Sequence, residues 1–125
     1  MLRWLVWTVF CIALTAALVA PLPSPEELPL GELLVSRRIL VAKSVHVAAY
    51  AVFAMLSGWL PVALRWRLLL MFFLMLHAVG TEFIQLHLSY RSGTLADVLW
   101  DCLGIAVGFC LSWRWWLRED SGLPR

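Results

Sequence analysis

Residues 68–88 read LLLMFFLMLHAVGTEFIQLHL. The run from Leu68 to Leu76 is unbroken apolar sequence, and the whole stretch, wound as a helix, is long enough to cross a hydrocarbon core of about 30 Å. Yet it carries Glu82 about two turns from its polar end. A carboxylate at that depth has to be paired, protonated or turned towards a wet cavity. One stretch therefore makes two statements: the chain is built for a membrane, and an acidic group is retained inside it.

Working outward, the polar turn Ser89-Tyr90-Arg91-Ser92-Gly93 closes this run, and a further apolar run follows at about 95–117. On the other side, Pro61, Arg65 and Arg67 mark a short turn separating it from an apolar run at about 44–60. A first apolar run occupies 2–20. Only helices and closed barrels satisfy the backbone in lipid, and runs of this length are helices. The sequence thus predicts an all-α integral membrane bundle of four transmembrane helices, one domain over 1–125. Short connections make the last three spans antiparallel neighbours. A cleaved signal peptide is the rival reading of 2–20, with Arg3 before the apolar run and Thr15-Ala16-Ala17 as cleavage region, but the run is longer than a usual signal core. Pro21, Pro23, Pro25 and Pro29 prevent a continuous helix after it. Residues 21–42 are expected to form a Pro-rich outer loop, with 31–42 either a short interfacial helix or a few turns.

Composition agrees. The chain is 62% hydrophobic and 14% charged, against about 25% charged in soluble domains. A net charge of +2 gives no case for nucleic acid. Cys11, Cys102 and Cys110 are odd in number, lie in apolar runs and form neither a disulfide framework nor a metal motif. No cofactor motif, nucleophile elbow or phosphate loop is present.

The antiparallel order gathers the helix ends into two sets. One carries Arg3, Arg65, Arg67, Arg114, Arg118 and Arg125, and the other Arg37, Arg38, Lys43 and Arg91. The excess of basic residues assigns the first set, with both termini, to the cytoplasm. Every tryptophan except Trp100 falls in that set, an aromatic belt at the same face.

The polar residues collect at the opposite face. Lys43, His46 and Tyr50 are spaced three and four apart and share one side of the second helix. Glu82 and Gln85 lie near the end of the third. Arg91, whose planar fork suits phosphate or carboxylate, stands in the following turn. Asp97, Asp101, Gly104 and Gly108 form one stripe on the fourth helix. The glycines permit close helix approach, and Thr94 to Asp97 has the spacing of a capping box. His77, on another side of the third helix from Glu82, and His87, near water, read as bystanders. Glu82, His46 and Asp101 are the candidate catalytic groups, and Lys43, Tyr50, Gln85, Arg91 and Asp97 the candidate ligand-binding groups. Clustered carboxylates can also hold a divalent cation, but the sequence shows no metal-ligand spacing and the expectation is that there is none.

The ordered set Lys43-x-x-His46-x-x-x-Tyr50, Glu82-x-x-Gln85, Arg91-Ser92-Gly93 and Asp97 leading to Gly104 and Gly108 resembles the VanZ-like family over about 43–108. The resemblance implies a small bacterial membrane protein of the cell envelope, in a family whose founding member is associated with low-level teicoplanin resistance. Asp101 is a departure, since the family often has Asn there. Three functions compete: a membrane site that binds or processes the head group of a lipid-linked envelope precursor; a non-enzymatic resistance or structural factor that docks a partner or a glycopeptide; and a proton-coupled transporter, which with so few helices would need a homo-oligomer joined through Gly104 and Gly108. The sequence leaves open whether the site is catalytic.

Overall fold

The computed structural model describes residues 1–20, 32–89 and 94–118, with 32–39 described by backbone alone. Its elements are five helices: α1 (Leu2–Val19), α2 (Glu32–Trp59), α3 (Leu64–Leu86), α4 (Leu95–Leu111) and the short α5 (Trp113–Trp116). The described residues contain no strand. Three helical segments are long and apolar enough to cross a membrane: α1, residues Leu40–Trp59 of α2, and α3. Their outward faces carry Val41, Val45, Phe72, Phe83 and similar residues, side chains that lipid accommodates at no cost.

Two boundaries differ from expectation. Residues 32–42 belong to α2 rather than to a loop or a separate interfacial helix. The last proline before Pro61 is Pro29, so nothing in 32–59 interrupts helical hydrogen bonding. At about 1.5 Å per residue, α2 outruns the hydrocarbon core, and its charged first turns extend beyond the apolar segment. The fourth helix stops at Leu111 instead of continuing to 117. Ser112 turns its hydroxyl back onto the Gly108 carbonyl at 2.6 Å and leaves helical geometry. The chain continues into α5, whose Trp116 is buried in the core.

Lipid removes the hydrophobic reason for helices to associate, so close packing and interhelical hydrogen bonds hold the bundle. α2 and α4 form its tightest contact. A Cβ on Gly104 would meet the Val47 carbonyl oxygen at 2.5 Å, and one on Gly108 would overlap the Ala51 backbone. The glycine stripe thus packs against α2 within one chain. Gly58 gives the same service to the Trp116 ring. Trp116 is therefore buried rather than part of the aromatic belt, whereas Trp4, Trp66, Trp113 and Trp115 are exposed.

Polar ties complete the frame. Trp7 Nε1 donates to Ser57 Oγ at 2.8 Å, and Gln85 Nε2 donates to the Leu18 carbonyl at 2.8 Å, joining α1 to α2 and α3. Arg67, expected in an open basic turn, is fully buried. Its guanidinium donates to the carbonyls of Trp116 and Arg118, a cation closing the carboxyl end of the last helical turns. Arg3 donates to the Trp59 carbonyl at 3.2 Å and lies over its ring. The arginines at this end therefore cap carbonyls as well as marking an interface.

Candidate functional site

At the other end of the bundle, the start of the apolar part of α2, the end of α3 and the start of α4 meet. Three titratable side chains converge there. His46 Nδ1 and Asp101 Oδ1 are 2.9 Å apart, a hydrogen-bonded pair that becomes ionic when His46 is protonated. Asp101 is fully buried, and His46 keeps 18% of its side chain open. Glu82, 3% exposed, accepts the Thr94 backbone N–H at 3.1 Å through Oε2. One ligating atom from each of His46, Glu82 and Asp101 lies within 4.8 Å of the other two.

Helical geometry explains the meeting. His46 lies one turn past Lys43, and the Gly104 contact draws the neighbouring Val47 against α4, so Asp101 arrives opposite His46. Glu82 is pulled in by the Thr94 N–H, one of the amides left unpaired at the start of α4. The bonding remains incomplete: Glu82 Oε1 and Asp101 Oδ2 are buried with no hydrogen-bond partner among the described residues. A buried carboxylate oxygen left this way costs free energy on the order of 1–3 kcal/mol or more. Two such carboxylates in one cluster mark a place suited to something that donates to, or coordinates, oxygen.

The other expected site residues divide. Lys43 is half-buried and places Nζ 5.5 Å from the centre of the Trp100 ring. It forms a cationic rim and no ion pair with Glu82. Asp97 closes the cap of α4: its backbone N–H donates to Thr94 Oγ1 at 3.2 Å, and Thr94 Oγ1 lies 2.7 Å from Asp97 Oδ2. Gln85 is tied to Leu18, as above. Tyr50 is fully buried, its hydroxyl 3.0 Å from His77 Nδ1 and 3.1 Å from Thr81 Oγ1. Arg91 lies outside the described residues.

His77 is the residue that the sequence reading set aside. Thr15 Oγ1 donates to the Cys11 carbonyl at 2.8 Å, so it accepts from His77 Nε2–H at 2.9 Å. His77 Nδ1 lies 3.0 Å from the Tyr50 hydroxyl, so one imidazole links α1, α2 and α3. The available signal was the spacing His77, Thr81, Gln85, a polar row four residues apart facing inward, which attention to Glu82 alone had hidden. A groove of about 500 Å³ lined by residues such as Trp4, Trp66, Leu69 and Phe73 is apolar and lies at the far end, away from these groups.

An all-helical, multi-pass membrane protein with a buried acid–histidine cluster near one end of its bundle is the class that fold and site define. Residues 7–117 match the family described as VanZ/LLP1. The chain belongs to that family, and the match extends well beyond the 43–108 region that carried the resemblance. No curated protein and no solved structure matches significantly.

Proposed function

We propose that the cluster of His46, Glu82 and Asp101 receives the polar head group of a lipid-linked envelope molecule. In this reading α4 crosses together with α1, α2 and α3, and its 17 residues are at the short end of what spans a bilayer. In the same reading the cluster faces the outer side of a bacterial plasma membrane and both termini are cytoplasmic, which the basic excess at the opposite end supports. The observation that carries the reading is the pair of buried carboxylates with one unpartnered oxygen each. Sugar hydroxyls or amines of a head group would donate to those oxygens. Lys43 on its Trp100 platform would meet phosphate at the rim. Asp101 holds the Nδ1–H of His46 and leaves Nε2 as the lone-pair nitrogen, so His46 can accept a proton from a bound group.

The test uses a deletion strain complemented with the wild-type chain or with Glu82→Gln, with lipid-linked precursors profiled and teicoplanin and vancomycin susceptibility measured. The wild type restores the normal profile, whereas Glu82→Gln accumulates in the membrane and does not. Full restoration by Glu82→Gln would remove the carboxylate from the mechanism.

A second reading, a non-enzymatic envelope or resistance factor, draws support from Tyr50, Gln85 and Asp97 being bonded within the chain. It predicts that Asp101→Asn, which keeps an acceptor for His46, restores function fully.

A further inference from the structure

We infer that His46, Glu82 and Asp101 form a binding site for one divalent first-row transition-metal ion. The geometry stands apart from any reading of the lipid ligand. One nitrogen and two carboxylate oxygens, from three different helices, lie mutually within 4.8 Å. Donors on one such ion sit about 2.0–2.2 Å from it and thus up to roughly 4.4 Å apart, so closure by a few tenths of an ångström suffices. The 2.9 Å between His46 Nδ1 and Asp101 Oδ1 is also the spacing of adjacent donors on a six-coordinate ion, which would take the place of the Nδ1 proton between them.

Two further observations point to a cation. Asp101 is 0% exposed and Glu82 3% exposed, and each keeps a buried oxygen without a partner among the described residues. Lys43 stands over Trp100 and pairs with neither carboxylate among the described residues. A doubly charged ion balances two carboxylates and coordinates one oxygen of each. The imidazole selects Mn²⁺, Fe²⁺ or Zn²⁺ over Ca²⁺ and Mg²⁺, which favour oxygen-only shells. His46, the one member open to the outside, marks the side from which an ion or a further ligand enters.

The experiment uses the full chain, purified in detergent, stripped of lipid and treated with chelator. Mn²⁺ binding is followed by electron paramagnetic resonance and Zn²⁺ binding by equilibrium dialysis. One ion per chain is expected, with affinity at least about tenfold weaker in Glu82→Gln and in Asp101→Asn, since even outer-sphere partners of metal ligands are worth that much. The triple Cys11→Ser, Cys102→Ser, Cys110→Ser variant should bind as the wild type does. A readout on the unmutated protein guards against variants that fail to fold: electron spin-echo modulation from the bound Mn²⁺ should show one coordinated histidine nitrogen. Absence of stoichiometric binding, absence of that nitrogen coupling, or equal affinity in folded Glu82→Gln and Asp101→Asn would overturn the site. Because the titration contains no lipid, its failure leaves the head-group reading standing, and failure of the precursor profile leaves the metal site standing.

Discussion

Gly104→Ala adds one methyl group and should break the His46–Asp101 pair without altering either member. The new Cβ would lie 2.5 Å from the Val47 carbonyl oxygen, whereas ordinary contacts begin near 3.4 Å. The obstacle is backbone, so it cannot rotate away, and α4 must retreat from α2 by about 0.9 Å at this level. Val47 adjoins His46, and Gly104 is one turn from Asp101. Carried over in full, the retreat takes the 2.9 Å contact to about 3.8 Å, beyond hydrogen-bonding range. Overpacking of this kind costs about 1–3 kcal/mol. Gly80→Ala is the control, because a Cβ there meets nothing within 4 Å and alanine is the better helix former. Equilibrium unfolding of purified protein in mixed micelles should place Gly104→Ala about 1–3 kcal/mol below the wild type and Gly80→Ala level with it or above. Nitrogen-15 spectra of labelled histidine should show His46 losing its Nδ1–H bond in the first variant alone. Equal stability of the two variants, with the His46 signal unchanged, would refute the packing argument.

Other consequences follow from the same frame. His77→Phe fills the space but leaves Tyr50 and Thr15 without their shared partner; from typical interhelical hydrogen bonds in bilayers the loss is about 0.6 kcal/mol per bond, up to roughly 1.7, read by the same unfolding assay. Gln85→Leu releases the Leu18 carbonyl, and hydrogen exchange should rise in the last turn of α1 while α4 is unaffected. Arg67→Lys keeps the charge but loses the fork that reaches two carbonyls, so it should destabilise by roughly 1–3 kcal/mol and loosen α5, visible as greater quenching of Trp116 fluorescence in a background where the other tryptophans are replaced by phenylalanine.

Membrane character was plain in the sequence because hydropathy is a local property: the runs at 2–20, 44–60 and 68–88 correspond to α1, the apolar part of α2, and α3, with ends displaced by a few residues. The capping role of Asp97 was legible for the same reason, since Thr94 and Asp97 are three residues apart. What the sequence did not reveal depended on partners distant in it. Lys43 reads as a ligand-binding group, and only the fold shows that Trp100 on α4 offers it a ring. Tyr50 and Gln85 read as ligand-facing because they share stripes with His46 and Glu82, yet Thr81, His77 and Leu18 engage them from other helices. Arg67 appeared to be an ordinary loop cation until α5 brought two carbonyls to it. The bend at Ser112 was invisible because a serine is tolerated inside a helix and bends it only when its hydroxyl turns back, as it does here onto Gly108.

Paired cysteine cross-linking in native membranes tests the convergence of α2, α3 and α4 most directly. In a background with Cys11, Cys102 and Cys110 replaced by serine, the pairs His46→Cys with Asp101→Cys and His46→Cys with Glu82→Cys should form disulfides rapidly on mild oxidation. The pair His46→Cys with Leu69→Cys, which joins opposite ends of the bundle, should not. Both site pairs reacting no faster than the distant pair would contradict the shared pocket.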